Sequence, residues 1–247
     1  MKNVWIIFLS LLLLFGLFSI LNSQIATFET KVELAKVPRA ERETNLTSVR
    51  LIVPAVDSRG RGVATTLIVE ARPGNGRVLT DIEHLLFFLD TQNSIQIAKY
   101  VAEKVTGINA SSYDLIYQIE TNASAVGGPS AGAALTIATI AALEKRSLNK
   151  SVVITGTIEP DGTIGMVGGV REKAMAAKQM GAKLFLVPKG QGKERVYKPI
   201  RECRTIGPIT FCTTEFQVEE IDISESVGIK VVEVSNIEEA LKYFGLM

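Results

Sequence analysis

Histidine is almost missing from this chain: its 247 residues hold one, His84, beside two cysteines, one tryptophan and no long run of like charge. Because His84 precedes Ser130, the order Ser, acid, His used by α/β-hydrolases cannot be built around Ser130, although Gly128-Pro129-Ser130-Ala131-Gly132 fits G-x-S-x-G. Two cysteines and one distant histidine make a poor metal site, so no metal is expected. Lysine and arginine number 27 against 26 acidic residues, a formal charge of +1, which leaves no electrostatic footprint for nucleic acid. No G-x-x-x-x-G-K-S/T loop is present, so the chain carries no P-loop for nucleotide, and no cofactor is expected. No internal repeat is evident.

What is present centres on Gly127-Gly128-Pro129-Ser130-Ala131-Gly132, which runs into the apolar stretch from Ala133 to Leu143. Pro129 suits the first helical position, where its missing N–H has no intrahelical partner and its fixed φ already matches. Ser130 is therefore expected in the first turn, where free backbone N–H groups and the positive end of the helix dipole can stabilise an oxyanion. Gly128, Ala131 and Gly132 leave room for a peptide carbonyl to approach the hydroxyl. Packing of a glycine-rich turn is the bland alternative. A phosphate-binding turn, as in a small-molecule kinase, is a second one.

The amino terminus departs from an ordinary soluble chain. Val4 to Leu21 carries no charge, and eighteen helical residues rise about 27 Å, enough to span a bilayer. A cleaved signal peptide is the alternative, but Asn22 to Ala26 offers no clean small-x-small site, and an uncleaved anchor is favoured. Residues 1–26 are read as this segment and residues 27–48 as a mixed-charge linker. Lys2 sets the amino end in the cytoplasm and the bulk of a single-pass protein outside it. Cys203 and Cys212 bracket a Gly207-Pro208 turn, so a disulfide across a short hairpin is sterically reasonable and an oxidising compartment would favour it; two free buried thiols are the alternative. Asn45, Asn109, Asn122 and Asn149 begin glycosylation sequons, a pattern common by chance.

Between these landmarks the pattern predicts a mixed α+β domain over residues 49–247. Strands are expected at Val49–Val56 and Val63–Ala71 around a hairpin loop, then at Arg77–Thr80, Tyr113–Ile119, Val152–Thr155, Leu184–Val187 and Ile229–Val234. Helical spacing marks Thr91–Thr106, stopped by Gly107, and Ile237–Phe244, capped by Ser235 or Asn236. The stretch from Ser130 to Leu143 is apolar nearly all round and should be buried. Ile158–Ile164 reads as a tight hairpin. Glu83–Phe88 fits helix or strand, with His84 packed or at a rim. Residues 189–228, with the cysteines, read as irregular.

The helix expected from Val170 to Met180 buries a stripe of Val170, Ala174 and Ala177, and Lys173 lies on it. A lysine there either snorkels or loses water around its ammonium, which lowers its pKa toward that of a usable base. Beside a serine turn that lacks a histidine, the base is the favoured reading.

Gly128-Pro129-Ser130-Ala131-Gly132, Thr155-Gly156 and Ile164-Gly165-Met166-Val167-Gly168-Gly169-Val170-Arg171-Glu172-Lys173 together resemble the proteolytic domain of the Lon-type serine peptidases. Leu67 to Ala71, Gly74-Asn75-Gly76 and the run from Ala176 to Lys189 extend the resemblance. It implies a Lon-like fold and a Ser/Lys dyad, Ser130 as nucleophile and Lys173 as base, with Thr155 orienting the lysine and the turn Gly128, Pro129, Ala131 around the oxyanion. It also implies polypeptide substrates and assembly into a ring. Gly127, Val126 and Gln118 stand where the family usually has an acid, a base and a histidine, so the electrostatics of its cleft differ. The ATP-driven module is missing from the 247 residues, and the segment at about 190–228 resembles an insertion. An ATP-independent endopeptidase is therefore expected. A membrane-tethered scaffold without activity is the other reading.

Overall fold

Alternation of apolar and polar side chains makes the first long hairpin. In the computed structural model, which describes residues 46–81, 89–121 and 128–247, β1 (Thr47–Val56) and β2 (Gly62–Pro73) pair antiparallel from Thr47 opposite Ala71 to Val56 opposite Gly62. Leu51, Val53, Leu67 and Val69 turn inward from the two strands. β3 (Val78–Thr80) and β4 (Tyr113–Glu120) complete a sheet of order β1-β2-β4-β3, in which β3 runs parallel to β4 and β2 antiparallel to it. The helix between them, α1 (Leu89–Thr106), buries Ile95, Ala98, Val101 and Ala102 at the spacing read from the sequence.

The core of the molecule is α2 (Gly132–Glu144), every residue of which is buried from Gly132 to Leu143. A helix apolar on all sides needs packing on all sides, and it receives α1, β1 and β2 as neighbours. Leu135, Ile137 and Ile140 have 1% exposure or less. Each such side chain contributes about 1.5–3 kcal/mol over its exposed state.

A second, parallel sheet of order β11-β8-β5 joins β5 (Val152–Ile154), β8 (Leu184–Pro188) and β11 (Lys230–Val234). The hairpin β6 (Thr157–Ile158) with β7 (Ile164–Gly165) follows β5. Helix α3 (Val170–Gln179) packs Val170, Ala174 and Ala177 into a smaller core with Val153 and Phe185. Gly62 allows α3 to sit hard against β2: a Cβ there would lie 2.0 Å from the Glu172 carbonyl oxygen. The closing helix α5 (Ile237–Phe244) is capped by Asn236, whose side chain accepts from the Glu239 amide.

Two expectations are corrected. Residues 189–228 are not irregular: β9 (Lys193–Ile206) and β10 (Ile209–Asp222) form a fourteen-pair antiparallel ribbon, followed by the short helix α4 (Ile223–Val227). Residues 197–220 are exposed throughout, so no buried face imposed a period on their side chains. Cys203 and Cys212 sit directly opposite one another and are disulfide-bonded. The helix expected to start at Ser130 starts at Gly132, after a 3₁₀ turn, Pro129–Ala131. The span expected over residues 4–21, residues 27–45 of the expected linker, Glu83–Phe88 with His84, and Gly127 lie outside the described residues; Thr47 and Ser48, expected in the linker, open β1 instead. Among the described residues no helix is long and apolar enough to cross a membrane, and no cluster of metal-ligating side chains occurs.

Candidate active site

Ser130 is set by the backbone before any side chain acts. Gly128 has φ 106° and ψ 159°, a conformation closed to residues with a Cβ, and it turns the chain into Pro129 at the first position of the 3₁₀ turn. Pro129 has no N–H to offer an oxyanion; its carbonyl accepts from Gly132 and closes the turn. Two further bonds lock the turn to the end of β5: the Gly156 amide donates to the Ser130 carbonyl at 3.0 Å, and the Ala133 amide donates to the Gly156 carbonyl at 3.1 Å. Ser130 itself stays partly exposed at the front of a helix buried from Gly132 to Leu143.

Lys173 arrives from α3. Its stem follows the buried stripe, and the residue is only 3% exposed. Its ammonium donates to the Thr155 hydroxyl at 3.3 Å. Thr155, fully buried, donates in turn to the Ser130 carbonyl at 3.2 Å. The three residues that the sequence singled out are thus one chain of contacts, in which Thr155 links the amine to the backbone of the serine turn.

Ser130 and Lys173 line the same cleft, about 340 Å³ in volume, with Gly128, Pro129, Ala131, Gly168 and Gly169 around its rim. Its walls are Val53, Ala55, Leu67 and Ile119 from the first sheet, with the Thr65 hydroxyl turned back onto the Val53 carbonyl at 2.8 Å. Apolar walls strip water from the amine. Among the described residues no carboxylate forms an ion pair with Lys173, and burial alone lowers its pKa to about 8. A substantial neutral fraction at neutral to mildly basic pH follows, which is the state that can accept a proton.

Two residues around the cleft carried no sequence signal. Gln191 clamps the loop before α3: its carboxamide accepts from the Val167 amide at 2.9 Å and donates to the Val167 carbonyl at 2.7 Å. Thr65 reads in sequence only as a polar strand residue; its inward place beside Leu67 shows once the register with β1 is known.

The family described as the Lon protease (S16) C-terminal proteolytic domain matches residues 90–211, a span that includes both Ser130 and Lys173. The Lon protease of Phenylobacterium zucineum (strain HLK1) is 32% identical over 163 residues, 61% of this chain and 20% of that protein. The Lon protease of Vibrio parahaemolyticus is 30% identical over 188 residues, 73% of this chain and 21% of that protein. The Lon protease of Metamycoplasma arthritidis is 39% identical over 72 residues, 29% of this chain and 9% of that protein. The chain thus spans at most about a fifth of the length of these relatives.

Proposed function

We propose, from the premise that the chain belongs to the Lon-type peptidases through its proteolytic domain, that it is a serine endopeptidase working by a Ser130/Lys173 dyad without ATP. The observation that carries the assignment is a lysine 3% exposed, its amine unpaired with any described carboxylate, lining one cleft with a serine whose turn is hydrogen-bonded to Gly156. Neutral Lys173 takes the proton as the Ser130 oxygen attacks the scissile carbonyl, and a tetrahedral oxyanion forms against backbone N–H groups of the serine turn. Collapse breaks the C–N bond, and the Lys173 ammonium gives its proton to the leaving amine. Water, deprotonated by the same amine, then attacks the Ser130 ester, and as the ester C–O bond breaks the ammonium returns its proton to the Ser130 oxygen, which frees the carboxylic acid product and restores the dyad. Thr155 holds the amine in line throughout, as a positioning residue.

Substrates are flexible or already unfolded polypeptides, which enter the cleft beside Ser130 as extended chains. We further propose that residues 4–21 tether the chain to a membrane with the peptidase outside the cytoplasm. The uncharged run and the paired cysteines support that placement. Carbonate extraction and protease accessibility of intact cells test it; release of the chain by carbonate ends the tether.

For the activity, full-length protein in detergent is treated with a fluorophosphonate and the adduct mapped by mass spectrometry, alongside cleavage of an unfolded polypeptide without nucleotide. Labelling at Ser130, and loss of both labelling and cleavage in Ser130→Ala, is the expected result. Cleavage that survives Ser130→Ala in purified protein overturns the assignment.

A further inference from the structure

Seven of the fifteen large apolar side chains that the described residues leave exposed lie on the ribbon of β9 and β10. They gather on both of its faces. Tyr197 opposite Val218 shares one face with Phe216, and Ile206 opposite Ile209 shares the other with Phe211. Each of these six is more than half exposed. Apolar surface concentrated in this way marks a place where something binds.

Position and charge narrow what it binds. The ribbon rises from the rim of the active-site cleft: β9 begins two residues after Gln191, whose carboxamide holds Val167 just ahead of Gly168 and Gly169. After β10, the Ile223 amide donates to the Gly192 carbonyl at 3.0 Å and ties the returning strand to the same root. A depression of about 260 Å³ lies between, lined by Val167 and Gly169 of the cleft loop and by Lys193, Glu194 and Arg195 of the ribbon. Gly169 also lines the cleft, so the two hollows share a wall. Within residues 193–222 five lysines and arginines face six carboxylates, with Lys193 and Arg195 on Glu220 and Lys198 on Glu219. A surface without a dominant sign of charge draws neither nucleic acid nor an anionic lipid face. No other described strand pairs with the ribbon, so its outer backbone N–H and C=O groups can take an extended chain of any sequence as an added strand. Exposed apolar side chains and unpaired backbone are what an unfolded polypeptide presents in return and a folded one hides.

We propose that the ribbon is the substrate-capture surface of this chain, binding apolar, extended segments of an unfolded polypeptide beside the cleft. The substrate class is that of the peptidase assignment, on which this rests. Fourteen residue pairs at about 3.4 Å give roughly 45 Å of contact, so capture should set KM for long chains and leave the chemical step alone.

Full-length Ser130→Ala in lipid nanodiscs, free of detergent that would coat the ribbon, is titrated with fluorescent reduced, carboxymethylated lactalbumin, a permanently unfolded polypeptide, and binding is followed by anisotropy. Tyr197→Ser with Phe216→Ser, and Ile209→Ser with Phe211→Ser, should each weaken binding by roughly tenfold, whereas Tyr197→Leu with Phe216→Leu should not. With Ser130 restored, the serine pairs should raise KM for this polypeptide by the same factor, and cleavage of a peptide short enough to fill the cleft alone should be unchanged. An intact Cys203–Cys212 disulfide shows that the ribbon has formed; where a pair prevents it, Phe216→Ser alone, with a smaller loss, decides. Unchanged affinity in the serine variants overturns the proposal, and a changed assembly mass with affinity unaltered gives the surface to a neighbouring copy and overturns it too. If no peptide is cleaved while affinity falls as expected, the peptidase assignment fails and the capture surface stands.

Discussion

Among the described residues two charged groups are buried, Asp114 and Lys173, and their surroundings are opposites. Asp114, 2% exposed in β4, accepts from the Asn75 and Arg77 amides at 3.0 and 3.1 Å and from the Arg77 guanidinium at 2.8 Å, with Arg72 at 3.8 Å. The Arg77 guanidinium and the two amides hold its carboxyl far below the usual carboxylate range. Lys173, buried to the same degree, has one neutral hydroxyl. A fully partnered charge fixes three chain segments to one another, the 74–77 turn, β2 and β4. An under-partnered one is left ready to lose its proton. Burial alone therefore does not mark a reactive group; burial with too few partners does.

The comparison breaks first at Lys173. Lys173→Met keeps the stem and removes the amine, and it should lower peptidase turnover by about 10²–10⁴-fold, the usual contribution of a general base. The same change should raise stability at pH 7, because holding the amine charged with a pKa of about 8 rather than the usual lysine value costs roughly 3 kcal/mol before relaxation. Activity lost while the thermal midpoint rises is the expected pair of results; a variant that loses both is merely misfolded. In the wild type, turnover should climb with pH and level off above about 8 as the amine deprotonates. Stability should also climb between about pH 8 and the unfolded lysine value, since the unfolded chain binds the extra proton over that window. A flat rate profile through that range excludes this base.

At Asp114 the sign is reversed. Its folded pKa is depressed, so its contribution is complete above the unfolded carboxylate value near 4 and is lost as pH falls below that. Asp114→Asn keeps the shape and removes the charge. Denaturation midpoints should fall sharply at pH 7 and lose much of their dependence on acid, while the pH at which turnover levels off stays where it was. A shift of that inflection would mean that the two buried charges communicate, and the contrast drawn between them would fail.

The same contrast explains what could be read in the sequence. The β1–β2 hairpin, α2 and the Lys173 stripe were legible because one-sided or complete burial leaves a period in the side chains. Ser130 was legible because glycine and proline punctuate its turn, although the turn is 3₁₀ and the α-helix begins two residues later. The ribbon was not, because both its faces meet solvent and charges fall on either. Asp114 stood in the sequence as a carboxylate among apolar strand residues. Its partners lie 37 and 39 residues away along the chain, and only the β2–β4 register brings them to it.

The smallest effect expected is at Gln191, and it separates holding a cleft open from doing chemistry in it. The carboxamide makes both hydrogen bonds that a neighbouring strand would make to Val167, and the next two residues, Gly168 and Gly169, line the cleft before the Lys173 amide closes the first turn of α3 on the Gly169 carbonyl at 2.9 Å. Gln191→Ala loses both bonds, each contributing about 0.5–1.5 kcal/mol; where the equivalent of one of them reaches the cleft through Gly168 and Gly169, KM should rise by roughly two- to tenfold with the pH inflection unmoved. Gln191→Glu retains the acceptor for the Val167 amide but turns a carboxylate oxygen on the Val167 carbonyl, and it should be no better than alanine. Steady-state kinetics on a peptide substrate decide this. A glutamate variant that matches the wild type would mean that the Val167 carbonyl is not held from Gln191, and a fall in kcat with KM unchanged would mean that the loop acts on the amine rather than on the shape of the cleft.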